Sequence, residues 1–346
     1  MKFISIILPI RNEANFIINS IESILAQDYP QDKIEILIAD GMSTDKTLEI
    51  IRTYQQNHSN IFLINNPGKI VPTGMNLALR LAKGGIIIRV DGHCIIAPDY
   101  ICKCVDHLSK NRIDGVGGPM ETIGETQLSA TIALAMSSPF GVGNSAFRTT
   151  TGKTMLVDTI PFPAYTRTII EMAGLYDEEL VRNQDDEYNY RIRELGGKLL
   201  LADNVKSKYY SRGSLNKLWK QYFQYGYWKV RILQKHPRQM SLRQFIPPAF
   251  VASLLLSWIF ALFIPVFWII FASIVGIYLL ANLLASFLTA FQKGWQHLFL
   301  LLVVFAILHL SYGLGFLAGL VKFVNRWGDK IGKVPQGKPF QKQDPE

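Results

Sequence analysis

The chain has 346 residues, 49% of them apolar and 18% charged, with 36 Lys and Arg against 27 Asp and Glu for a formal net charge of +9. That length allows one large domain and a further region. The basic excess does not point to nucleic acid. Lys217, Lys220, Lys229, Arg231, Lys235, Arg238 and Arg243 all stand just before the first long apolar run, as a flank facing anionic lipid would, and no aromatic–basic RNA motif occurs in the first half. Cys94, Cys102 and Cys104 are odd in number and fit neither a disulfide framework nor a zinc site, so they are expected as reduced thiols without a catalytic role.

"FISIILPI" opens the chain and gives way at once to Arg11, Asn12 and Glu13. With no small-residue cleavage site it reads as a first strand rather than a cleaved signal, and the domain it begins is expected to stay in the cytoplasm. The helical pattern "EANFIINSIESILAQ" follows, then strand "IEILIAD", helix "STDKTLEIIRTYQQN", strand "IFLINN", helix "PTGMNLALRLAK" and strand "GGIIIRV". Continuous Ile/Leu/Val strands separated by helices of ~10–15 residues predict βαβ units and a mostly parallel sheet. Ligands in such sheets bind beyond the carboxyl ends of the strands. Polar residues collect there: Arg11 to Glu13 after the first strand, Asp40 after the second, Asp91 and His93 after the fourth. Ser43 to Thr47 are explained as a helix cap and first turn. Asp40 is not, and its carboxylate could accept hydrogen bonds from a base N–H or a ribose hydroxyl. Asp91 and His93, two apart where strand alternation fails, offer oxygen and imidazole, a pair suited to Mn²⁺ or Mg²⁺. A lone histidine near apolar residues is more often structural.

Residues 115–153 are rich in Gly, Ser and Thr and read as a long functional or mobile loop. "VDTIPFPAYTRTIIEMAGLYDEEL" reads as strand, turn and helix, and "NQDDEYNYRIRELGGKLLLAD" as an acidic loop entering a helix, a Gly-Gly stop and a strand. Asp185, Asp186 and Glu187 fall at that helix's N-terminus. Dipole complementation needs only one carboxylate, worth ~0.3–1 kcal/mol. Three adjacent ones repel, which suits a raised pKa and a general base.

In residues 213–245, Leu215, Leu218, Trp219, Tyr222, Gly226, Val230 and Leu233 form one helical stripe, expected to lie apolar face down on the membrane. Residues 246–291 are about twice the ~20 residues of one crossing, with Pro265 near the middle as a hairpin turn, and residues 297–322 allow one more. Hydropathy therefore gives three spans. The basic tail, by the positive-inside rule, belongs in the cytoplasm, which three spans would not allow unless part of residues 246–291 lies in the interface or re-enters without crossing; three spans are the leading expectation.

The motifs "ILPIRNE", "IADGMSTDKT", "RVDGHC", "VDTIPFPAYTR", "GLYDEEL" and "NQDDEYNYRIRELGGKLLL", in that order over residues 4–202, resemble the family 2 inverting glycosyltransferases of GT-A fold. The similarity is to their membrane-anchored, exopolysaccharide-building branch, which "HLSYGLGFLAGL" also matches. The resemblance implies an α/β GT-A catalytic domain (1–212), an amphipathic interface helix and basic linker (213–245), two to three transmembrane helices (246–323) and a basic tail (324–346). It places Pro9, Arg11, Glu13, Asp40, Lys69 and Asp91 around a nucleotide-sugar donor, foremost a UDP-sugar. Asp91 and His93 stand at the metal-binding DxD as a DxH variant, for Mn²⁺ or Mg²⁺. Asp185 is the implied catalytic base, with Asp186 as the fallback, and Gln184 replaces the Glu that ordinarily precedes it. A loose likeness of residues 214–237 to the QxxRW element fails on spacing and on the missing Arg. The implied activity is sugar transfer to a polyprenyl-linked saccharide at the cell membrane, with membrane lipids and polysaccharide-assembly proteins as partners. A polyprenyl-phosphate glycosyltransferase and a non-catalytic nucleotide-sugar-binding scaffold are the alternatives.

Overall fold

Four apolar runs in the first ninety residues become four adjacent parallel strands of a sheet. The computed structural model describes residues 1–340 except Asn111, Asn144, Thr151, Arg212 and Ile331. Its strands are β1 (Ile4–Ile10), β2 (Ile34–Asp40), β3 (Ile61–Asn65), β4 (Ile86–Arg89), β5 (Cys94–Ile96), β6 (Gly115–Gly117), β7 (Met120–Ile123), β8 (Met155–Leu156), β9 (Ala164–Thr166), β10 (Leu199–Leu201) and β11 (Ser207–Tyr210). The main sheet has the order β3-β2-β1-β4-β9-β6-β10-β8. β1 pairs in parallel with β2 and β4, and β2 with β3, while β9 runs antiparallel to both β4 and β6. Every residue of β1 and β2 is buried, as strands covered on both faces require.

The covering helices bury one stripe each. Ile17, Ile21 and Ile24 of helix Ile17–Leu25 are fully buried at i, i+4 and i+7. Helix Val71–Leu81 begins with Pro72 in its first turn, where the missing N–H costs nothing, and buries Met75, Ala78 and Leu79 against Ile7, Leu37 and Ile87.

The chain forms two compact units that do not follow its sequence blocks. The first comprises the described residues of Met1–Glu121, Thr150–Tyr209 and Ile331–Glu346; the second, those of Thr122–Thr149 and Tyr210–Lys330. The tail thus belongs with the sheet. The Lys333 N–H donates to Asp177 Oδ1 at 2.8 Å, the Glu178 N–H returns a bond to the Lys333 carbonyl at 3.0 Å, and Phe340 is buried in the sheet's core cluster.

The second unit is helical. Residues 115–153 are not one loop: they hold helix Gln127–Met136, opened by a capping box between Thr126 and Ser129. The stripe of helix Leu215–Lys235 is likewise taken, by protein rather than lipid. Leu218 and Tyr222 pack with Leu301, Phe305 and Leu308, and Val230 with Phe316 and Phe323. The backbones touch along this seam, since a Cβ on Gly226 would lie 2.0 Å from the Tyr312 carbonyl and one on Gly315 2.0 Å from that of Phe223. Lys229, Arg231 and Lys235, expected against lipid headgroups, are buried, and Arg231 bonds Gln234 at 2.6 Å and Asp329 at 3.4 Å. Three helices are long and apolar enough to cross a membrane: Leu242–Ala261, Val266–Lys293 and Trp295–Lys322. The first two join at Leu262–Pro265, where Pro265 marks the turn.

Candidate active site

Parallel strands bring their carboxyl ends to one rim, so β1 to β4 deliver residues 11–13, 41–47, 66–70 and 91–93 to the same edge. The loops are stitched to each other. The Asn12 N–H donates to Ser43 Oγ at 2.9 Å, the Thr44 N–H to Asn12 Oδ1 at 2.8 Å, and the Glu13 N–H to Thr47 Oγ1 at 2.9 Å. Asn12, Met42, Lys69 and Asn183 all hold positive φ, between 56° and 61°. Such strain in non-glycine residues persists only where the surroundings over-determine it, and it gathers at functional sites.

The expected nucleotide residues divide. Arg11 and Lys69 are exposed on their loops and Pro9 is buried at the end of β1. Asp40 is fully buried, and its carboxylate receives the N–H and hydroxyl of Ser43. Its visible work is to shape the loop after β2. Glu13 holds His93, with Oε1 2.9 Å from Nδ1. That bond, with the edge of Tyr209 against the ring at a centroid distance of 4.8 Å, fixes the imidazole.

Gly92 makes the turn between Asp91 and His93 possible, because a Cβ there would meet Glu13 Cγ and Ile10 Cγ2 at 2.9 Å. Arg89, the last residue of β4, reaches forward to Asp91: its Nε and Nη2 each lie 2.9 Å from Oδ1. Burial works against the Arg89 charge, but Asp91 and then Asp185 outweigh it, and its pKa stands above the ordinary guanidinium value. Arg89 therefore joins two carboxylates that are remote in sequence. It was not among the sequence candidates, although an Arg inside "IIIRV" was the signal, since a buried charge in an apolar strand needs a partner.

Helix Gln184–Glu194 starts from Asn183 and carries Asp185, Asp186 and Glu187 in its first turn. Glu187 is accounted for structurally. It is buried and grips Arg191 through bonds of 2.6 and 3.0 Å, while Arg191 also donates to the Ala173 and Leu175 carbonyls. Tyr188, one residue on, stacks on Tyr176 with centroids 3.9 Å apart. These contacts fix the helix whose first turn also carries Asp185 and Asp186. The Asp185 residue is exposed, yet protein crowds its carboxylate. That crowding, then Asp186 and Asp91, push its pKa up, and Arg89 pulls it partly back. Gln184 is buried, and its Oε1 has no hydrogen-bond partner among the described residues. Being neutral, it adds no further charge beside Asp185.

For a metal ion the rim offers Asp91 and His93. Among the described residues no group of three or more His, Cys, Asp or Glu could hold an ion by itself. The two side chains nonetheless fit a divalent cation that takes its remaining ligands from phosphate and water. A carboxylate on Nδ1, as Glu13 provides for His93, is how metal-binding histidines are commonly oriented. Cys94 and Cys104 are buried and free, and burial pushes both thiols up, which suits packing rather than nucleophilic chemistry.

Residues 5–175 match the glycosyl transferase family 2 profile. The chain is 32% identical over 243 residues to the dolichyl N-acetyl-alpha-D-glucosaminyl phosphate 3-beta-D-2,3-diacetamido-2,3-dideoxy-beta-D-glucuronosyltransferase of Methanococcus voltae, covering 68% of this chain and 75% of that one. It is 29% identical over 330 residues to the succinoglycan biosynthesis protein ExoA of Rhizobium meliloti, covering 93% and 96%. Among solved structures, the mannosyltransferase PcManGT from Pyrobaculum calidifontis, in complex with GDP-Man and Mn²⁺, shares the fold with a TM-score of 0.56 at 17% identity, covering 91% of this chain and 87% of that one.

Proposed function

Because the chain belongs to glycosyl transferase family 2 and is a glycosyltransferase, we propose that it moves a sugar, with inversion, from a nucleoside-diphosphate sugar to a hydroxyl of a polyprenyl-linked saccharide. The names of the Methanococcus and Rhizobium relatives support a lipid-linked acceptor and exopolysaccharide or cell-surface glycan synthesis. The three long apolar helices support a place at the cell membrane, with the sheet-bearing unit in the cytoplasm.

The observation that carries the reading is Arg89. It is paired to Asp91 at 2.9 Å and within electrostatic reach of Asp185, so one charged neighbourhood serves both ends of a displacement. Asp185 accepts the acceptor's hydroxyl proton as that oxygen attacks the anomeric carbon. The bond from that carbon to the diphosphate breaks on the opposite face, and its electron pair leaves with the diphosphate. Asp186 stands by as the alternative base. Pro9, Arg11, Glu13, Asp40, Lys69 and Asp91 form the donor's surroundings, Arg11 and Lys69 as exposed cations for phosphate and Asp40 through the loop it braces. Asp91 and His93 would hold Mn²⁺ or Mg²⁺, which when bound neutralises the charge gathering on the departing diphosphate.

Thermal-shift titration with UDP-, GDP- and dTDP-sugars, each with and without Mn²⁺, tests the donor and the cation together. Metal-dependent stabilisation by one nucleotide class is expected. No shift with any donor, and no nucleoside diphosphate released in the presence of lipid-linked acceptors, would overturn the reading.

A further inference from the structure

Three consecutive apolar helices suggest three crossings, but the chain's own bonds fix where their ends lie. We infer that helices Ile246–Ala261 and Val266–Lys293 enter the bilayer and return as a pair, and that helix Leu298–Lys322 does not cross but lies along the membrane surface. Both of its ends then stay on the catalytic face.

The N-terminal end is held by helix Gln127–Met136. Gln127 Nε2 donates to the Gln296 carbonyl at 3.0 Å, and Thr131 Oγ1 lies 2.6 Å from His297 Nδ1. Gln127 follows Glu121, the last residue of the sheet-bearing unit in that stretch, by only six residues. At ~3.3–3.6 Å per residue that reach is about 20 Å, short of the ~30 Å hydrocarbon core. The turn before helix Leu298–Lys322 is thereby kept on the catalytic face.

The C-terminal end is held twice. Gln234 Nε2 donates to the Phe323 carbonyl at 2.8 Å and Arg231 pairs with Asp329 at 3.4 Å. Four residues past Asp329, Lys333 exchanges backbone bonds with Asp177 and Glu178 of the sheet-bearing unit, and Phe340 is buried in that unit's core. The tail cannot be across the membrane from a domain whose core it completes. Helix Leu215–Lys235, packed along the same helix, carries Lys217, Lys220, Lys229, Arg231 and Lys235, a charge load no spanning segment tolerates. By contrast, residues 246–292 contain no Asp, Glu, Lys, Arg or His. The occupant of their exposed face, Leu256, Phe263, Ile269 and Leu280 included, is the acyl-chain region of the bilayer.

Labelling of introduced cysteines tests this, Cys94 and Cys104 being buried. In a Cys102→Ser background, Lys110→Cys on the sheet-bearing unit, Lys293→Cys at the turn and Lys338→Cys in the tail are exposed to a membrane-impermeant maleimide, in right-side-out and inverted vesicles from cells making the full chain. All three are expected to label in the same vesicle orientation and in neither case in the other. Labelling of Lys338→Cys in the orientation opposite to Lys110→Cys would establish three crossings, and opposite labelling of Lys293→Cys would make the last two helices the crossing pair. Either result overturns the inference. Each variant's turnover of nucleotide sugar is measured alongside, so that a misfolded chain is not scored.

Discussion

In the proposed transfer Asp185 is the base, and two of its properties can be measured separately. Asp185→Asn removes the proton acceptor while keeping the shape, so turnover is expected to fall by ~10²–10⁴ with donor-induced thermal shift retained. A polyprenyl-phosphate acceptor, already ionised, would show little loss. The raised pKa sets the pH behaviour. The base works only when ionised, so kcat/KM should fall as pH drops through a value above the ordinary carboxylate range, and that limb should vanish in Asp186-only variants lacking Asp185. Stability runs the other way. A carboxyl whose folded pKa exceeds its unfolded one stabilises the fold in its protonated form, and that contribution is lost as pH rises through the folded value. Asp185→Asn should therefore melt higher than the parent at neutral pH and equal to it below about pH 4. Arg89 already neutralises part of Asp91, so Mn²⁺ alone is expected to give no thermal shift, and Mn²⁺ with the donor a clear one. Asp91, His93 and Asp185 stood out in the sequence because each interrupts a regular pattern. The Glu13–His93 bond and the reach of Arg89 to Asp185 did not, because they depend on which remote loop faces which, and spacing along the chain carries no record of that, whereas the Glu187–Arg191 fork is an i,i+4 pair that helical spacing does record.

At the scale of single elements, the parallel strands and their helices were legible because each is a long run with one dominant period. Helix Gln127–Met136 was not: its Ser and Thr content reads as loop, although Thr126 and Ser129 are the two members of its capping box. Helix Leu215–Lys235 shows a different gap. Periodicity reveals that a face is covered, not by what, and here the cover is helix Leu298–Lys322. The seam depends on glycine as close backbone contact does in membrane helix pairs. Gly226→Ala would set a Cβ 2.0 Å from the Tyr312 carbonyl, so the helices must separate. A loss of ~1–3 kcal/mol is expected, read as a lower melting temperature in detergent. An unchanged melting temperature would mean that the seam is not tight in solution.

Across the whole molecule, the sheet-bearing unit is discontinuous: its first residue is near the start of the chain and its core residue Phe340 near the end. Arg167 stacks over the Phe340 ring with its guanidinium carbon 3.6 Å from the centroid. Phe340→Ala should lower stability by ~3 kcal/mol through the cavity and the lost stacking, visible as an earlier unfolding transition. No pattern near residue 340 announced this, since one Phe in a polar, Gly- and Pro-containing tail has no period to read. The discontinuity also orders events during translation. A ribosome finishes residues 1–209 first, then threads out the oily hairpin, and only afterwards releases the segment that closes the first domain. The sheet-bearing core is thereby completed only after both long apolar helices of the hairpin have been synthesised.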